Sequence, residues 1–209
     1  MEFMICLNFS FTPYTNRKDK TKPMNIGIFT DTYYPNTDTI AASVMVLKQE
    51  LTKQGFKVYI FTTVQSKPIP GEIKVFRIPN APNFFMKDTN SMAYFYPDNI
   101  LKKIKKLKLD VVHTITEFSL GYLGKRVSMA FNIPWVHTHY DMDYRENLSN
   151  GKELTDAEIQ RLTRVFCNHA DVVISTTQPS DLKAIGVKRP IRYNFPIEDV
   201  YEEAILRRG

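Results

Sequence analysis

Apolar positions along the chain follow two alternating rhythms. Short runs at 25–30 (NIGIFT), 57–63 (KVYIFTT), 73–78, 111–116 (VVHTIT), 134–140 (PWVHTHY), 171–176 (DVVIST) and 191–195 have the length and β-branched content of strands buried on both faces. Between them the spacing changes to three and four. Ile40, Ser43, Val44, Leu47 and Leu51 mark one side of a helix that Gly55 is placed to stop. Further helices are expected over 98–107, 118–131 and 155–169, with a short one over 180–184. Strand, helix and strand in succession imply right-handed crossovers between parallel strands. The pattern predicts an α/β domain with a doubly wound, mostly parallel, Rossmann-like sheet and ligands at the carboxyl ends of its strands.

The polar, lysine-rich stretch 15–23 ends in Lys22-Pro23, just before the first strand. Residues 1–23 are therefore expected to be an extension, disordered or foreign to the domain, with Met24 a candidate start; a membrane-touching arm over 3–11 is the alternative. The domain is expected over 24–196. A length of 209 residues with 43% hydrophobic and 24% charged residues suits one packed core. Cys6 and Cys167 are too few for a disulfide framework, which points to a reducing cytoplasm. No apolar run approaches the roughly 20 residues of a membrane-spanning helix. A net charge of +6 asks for an anionic partner: nucleic acid, a phosphate-bearing ligand or an anionic membrane surface.

The loop after the first strand reads Asp31-Thr32-Tyr33-Tyr34-Pro35 and has no G-x-G-x-x-G, which disfavours a nicotinamide-dependent dehydrogenase. A phosphate loop of the G-x-x-x-x-G-K-[ST] type is also missing, so the chain does not read as a nucleotide hydrolase.

An ordered set of motifs carries a resemblance. Residues 24–63 with the Tyr34-Pro35 loop are followed by 113–121 (HTITEFSLG) with Lys125-Arg126, then 134–138 (PWVHT), then 170–174 (ADVVI). Together, from Met24 to about Asp199, they resemble the N-terminal domain of family 4 glycosyltransferases of GT-B architecture, most of all the bacterial diacylglycerol glucosyltransferases. The resemblance implies retaining transfer of a sugar, glucose by preference, from a nucleotide-sugar such as UDP-glucose to a lipid acceptor such as diacylglycerol. It implies no further cofactor and no metal. It places the acceptor in this domain and the donor in a C-terminal domain whose paired-glutamate motif is not found here, so 197–209 is expected to begin an interdomain linker. A separately encoded donor domain is one expected partner, and this chain alone is expected to be weak or inactive. Peripheral attachment at the inner face of the cell membrane follows from a lipid acceptor.

By the same resemblance, His139, Tyr140 and Glu117 are the catalytic candidates, and Asp38, Thr39, Thr116, Phe118, Ser119, His137 and Arg145 would line the acceptor groove. Three positions depart from the family pattern. Thr39 stands where a glycine is usual, His139-Tyr140 reverses a tyrosine-histidine order, and Phe195-Pro196-Ile197-Glu198 replaces a glycine-containing turn. Reversal at a strand end turns a side chain to the opposite face.

Each candidate also has a plainer reading. His113 either lines the cleft or is a hydrogen-bonded core histidine. His137 and His139 share one face of their strand, as a ligand pair would, but only Asp141 lies nearby as a third ligand, so cleft-lining polar residues are the better account. Cys167 and His169 flank Asn168 within a helix and do not face each other, so they are expected to be structural or incidental. Glu117 sits either beside an acceptor hydroxyl or in the first turn of a helix whose dipole favours it. Gly121 and Gly124 are expected to let helix and sheet approach closely. Phe84 and Phe85 precede an amphipathic helix with Lys102, Lys103, Lys105 and Lys106 off its apolar side, a pattern shared by membrane-surface helices and by helices with a solvated face. No nucleic-acid recognition fold accompanies these lysines. The alternative to an enzyme is a non-catalytic membrane- or partner-binding module derived from one.

Overall fold

Asn25–Phe29 forms β1, buried at every position, and pairs on both sides, with β2 (Lys57–Thr63) and β4 (Val111–Thr114). The computed structural model describes residues 23–63, 70–78, 98–117, 119–140, 155–193 and 195–209. Among these, β3 (Val75–Ile78) pairs outside β2, and β5 (Trp135–His139), β6 (Val172–Ser175) and β7 (Ile191–Arg192) continue beyond β4. The result is a seven-stranded sheet in the order β3-β2-β1-β4-β5-β6-β7, parallel at every pairing. The expected α/β architecture is therefore present and its sheet is wholly parallel. The last strand ends at Arg192, short of the expected 195.

Helices cover both faces. Helix α1 (Thr39–Lys53) buries Ile40, Val44, Leu47 and Leu51 against Ile26, Ile28, Val58 and Ile60. The opposite face carries α2 (Asp98–Lys105), α3 (Ser119–Phe131), α4 (Asp156–Cys167) and α5 (Pro179–Ala184), whose Ile104, Leu120, Leu123, Val127, Phe166 and Leu182 pack with Phe29, Phe61, Trp135 and Val173. Asp38 caps α1 by accepting from the Ala41 N–H at 2.8 Å, and Thr155 with Glu158 forms a reciprocal capping box on α4.

Helix α3 lies unusually close to the sheet. A Cβ on Gly121 would sit 1.8 Å from the Thr116 carbonyl oxygen, and one on Gly124 would sit 2.5 Å from Thr114 Cγ2. Gly124 therefore serves the close approach to the sheet expected of both glycines, whereas Gly121 packs against the turn that leads from β4 into its own helix and against Phe166 of α4.

Residues 197–208, read from sequence as the start of a linker, form a helix, α6 (Ile197–Arg208). Ile197, Val200, Tyr201 and Ala204 are buried beside α1, over β5 and β6. Two polar contacts fix its middle and its end. The Tyr201 hydroxyl meets His113 Nδ1 at 2.8 Å, and the Arg208 guanidinium donates to Asp171, whose Oδ2 also accepts the Trp135 N–H.

Candidate functional site

The strand order reverses direction between β1 and β4, so the loops that follow these two strands diverge and leave a crevice at their carboxyl ends. Asp31, just past β1, spans it. Its carboxylate accepts from the Thr116 hydroxyl, from Ser119 Oγ at 2.8 Å and from the Leu120 N–H at 3.0 Å. Burial pushes the Asp31 carboxyl up, and these three donors oppose the rise. The acid caps the first turn of α3 from across the chain, and it fixes Thr116 and Ser119 in place. Thr116 and Ser119 are both buried.

Glu117 follows β4 and turns beneath the crevice. Its Oε1 lies 2.8 Å from His139 Nδ1 and 3.2 Å from His137 Nε2, and only 2% of the residue is exposed. Burial alone would raise this carboxyl. Hydrogen bonds from the two imidazoles, together with their charge, outweigh that effect and hold it well below the usual carboxylate range. The His137 ring is fixed further by Thr114, whose Oγ1 and carbonyl oxygen lie 2.9 and 3.2 Å from Nδ1, and by the Phe166 ring edge at 4.8 Å. Cys167 completes the group. One ligand atom from each of Glu117, His137, His139 and Cys167 lies within 4.8 Å of the others.

Strand alternation sends Tyr140 to the other face, into the core shared with α1 and α6. Burial pushes its phenol up to about 12, with the Ser43 hydroxyl offsetting part of the rise. The fold thus brings Glu117 and His139 together and turns Tyr140 away from both. Asp38 and Thr39 stand at the start of α1 with exposed side chains, Asp38 accepting from the Thr32 hydroxyl as well as capping the helix. His113 is a core histidine. Its ring bridges Tyr201 on α6 and Thr138 Oγ1 on β5 at 2.8 and 2.7 Å, and burial with the neighbouring His137 charge lowers its pKa to about 3.

Lys102, Lys103, Lys105 and Lys106 are exposed along α2 and just beyond it, with the Lys105 ammonium 5.6 Å above the Phe131 ring. Phe84, Phe85, Phe118 and Arg145 lie outside the described residues, as does the proposed third ligand Asp141. The sequence reading took in the loop that opens at Asp31 without singling that residue out, although a residue just past β1 at the switch point is a usable signal; Cys167, thirty positions from His137 along the chain, offered none.

Among the described residues no helix is long and apolar enough to cross a membrane. The chain is 38% identical over 158 residues to an alpha-monoglucosyldiacylglycerol synthase of Streptococcus pneumoniae, covering 74% of this chain and 36% of that protein. It is 38% identical over 132 residues to a protein of the same name from Acholeplasma laidlawii, covering 60% of this chain and 32% of the relative. The chain therefore spans about a third of the length of these relatives. In fold it matches a sucrose-phosphate synthase from Thermosynechococcus elongatus with a TM-score of 0.55 and 16% identity, over 81% of this chain and 47% of that one. The model of Glycosyltransferase Family 4 matches residues 40–191, most of the sheet and the whole of the β4 to β5 site. The chain belongs to glycosyltransferase family 4.

Proposed function

We propose that this chain forms the acceptor-side lobe of a retaining glucosyltransferase, which moves glucose from UDP-glucose to a diacylglycerol-type lipid and works with a donor-binding lobe. What carries this reading is the 38% identity to two glucolipid synthases, over 158 and 132 residues. The polar end of the acceptor would enter at the β1–β4 switch point, between the loop bearing Asp38 and Thr39 and the wall made by Thr116, Ser119 and His137; Phe118 and Arg145 are assigned to the acceptor by the resemblance alone.

In this reading His139 meets the acceptor hydroxyl. Glu117 is a positioning residue that accepts the Nδ1–H of His139, which leaves Nε2 as the proton acceptor. Tyr140, turned into the core beside α1, takes no part in this step. Lys102, Lys103, Lys105 and Lys106, with Phe84 and Phe85, would hold the lobe on the anionic inner face of the cell membrane, where a two-chain lipid is presented without leaving the bilayer. The transfer itself is read as needing no cofactor besides the nucleotide-sugar.

The test is glucolipid formation from UDP-glucose and diacylglycerol in anionic vesicles, using the chain alone and the chain mixed with the C-terminal half of the pneumococcal relative. Product is expected only in the mixture, reduced about 100-fold or more by His139→Ala. Robust product from the chain alone would refute the need for a second lobe. A mixture that makes no product, with a chain that ignores acceptor-bearing vesicles, would refute the acceptor assignment.

A further inference from the structure

The two histidines that lacked a third ligand in the sequence gain two more in the fold. Glu117 arrives from the end of β4 and Cys167 from the last turn of α4, and all four side chains are buried. We propose that Glu117, His137, His139 and Cys167 bind one divalent transition-metal ion, zinc by the chemistry of the set, as a structural centre beneath the crevice floor. This departs from the expectation of a metal-free lobe, and it does not rest on the acceptor reading.

Three observations support it. The donor set is the first: two imidazoles, one thiol and one carboxylate match the borderline-soft preference of zinc, whereas magnesium and calcium take oxygen shells. Geometry is the second. Zinc bonds of about 2.0–2.3 Å place tetrahedral ligand atoms roughly 3.3–3.8 Å apart. Here Oε1 stands 2.8 and 3.2 Å from the two ring nitrogens, and no pair of the four atoms exceeds 4.8 Å. Shifts of about 1 Å therefore close the shell.

Third is the support behind the ligands. His137 turns its remote Nδ1 to the Thr114 carbonyl and hydroxyl, the backing that orients a metal-bound imidazole. Thr114 Oγ1 is itself held by the Trp135 indole N–H at 2.8 Å, and Phe166 closes the ring face. On binding, the Cys167 thiol loses its proton to solvent and the thiolate becomes a ligand. The ion would pin the end of α4 and the β4–α3 junction to β5. An ion held through His139 Nδ1 takes the place of the proton donated to Glu117, so ion and acceptor chemistry compete for this histidine, and Zn(II) is expected to inhibit the transfer assay reversibly by chelator.

The experiment titrates the reduced, chelator-treated full chain with Zn(II) against a chromophoric competitor, and with Co(II) followed by absorbance. One equivalent is expected, with an intense near-ultraviolet thiolate-to-cobalt band and the visible bands of a four-coordinate site. Cys167→Ser is expected to abolish the thiolate band, and His139→Asn to weaken uptake by more than the roughly 10- to 100-fold typical of outer partners. Failure of the wild-type chain to take up a stoichiometric ion would overturn the proposal, whatever the variants do. So would a cobalt spectrum without thiolate, or equal uptake by wild type and both variants.

Discussion

At the scale of single residues, the most consequential groups are polar ones placed where water does not reach. His113 is kept neutral between two hydroxyls, with its pKa lowered to about 3 by burial and by His137. An unfolded histidine takes up its proton near pH 6.5, so between about 6.5 and 3 the unfolded chain binds more protons than the native one. Stability is therefore expected to fall as the pH drops below about 6.5, by up to about 1.4 kcal/mol per unit from this group. Urea unfolding at pH 7, 6 and 5 measures it, and His113→Gln should flatten the slope. An unchanged slope in the variant would remove His113 as the cause. Glu117 acts in the same direction but only in more acid solution, because its depressed carboxyl supports the fold above about pH 4.5 and loses that support as the pH falls further. The shared face of His137 and His139 was legible in the sequence, since strand alternation alone dictates it. Their convergence with Glu117 and Cys167 was not, because that depends on where α3 and α4 cross the sheet.

Elements were easier to read than contacts, for a physical reason. A parallel strand covered on both faces must be a short apolar run, and a helix that covers it must repeat every three to four positions, so the chain advertises both. Helix α6 shows the opposite error. Ile197, Val200, Tyr201 and Ala204 repeat at helical spacing, but an expectation drawn from resemblance gave the segment to a linker and left its periodicity unused. The contact between α3 and the turn that precedes it yields a sharp prediction. Gly121→Ala drives a methyl group into the Thr116 carbonyl and should destabilise the fold by about 3 kcal/mol, lifting Ser119 and Leu120 from Asp31. Gly71→Ala, in open space at φ +78°, should lose only about 1 kcal/mol through backbone strain. Denaturant midpoints of equal size for the two variants would contradict the steric account.

For the whole molecule, the excess of six positive charges and the exposed lysines around α2 point the same way. If each basic residue near an anionic bilayer contributes about 1 kcal/mol, then replacing Lys102, Lys103, Lys105 and Lys106 by glutamine should weaken binding to acidic vesicles by about 100- to 1000-fold. Raised salt should weaken the wild type in the same manner. Sedimentation with neutral and acidic vesicles gives the comparison, and equal retention on both would dismiss electrostatic docking.

The position of α6 has an outcome for biosynthesis. Helix α6 is made after both of the strands it dries, β5 and β6, so each waits with a wet flank until it arrives. A nascent or clipped polypeptide stopping before Ile197 would leave Val136, Val172 and Ile174 open to chaperones, to proteases and to other copies of itself.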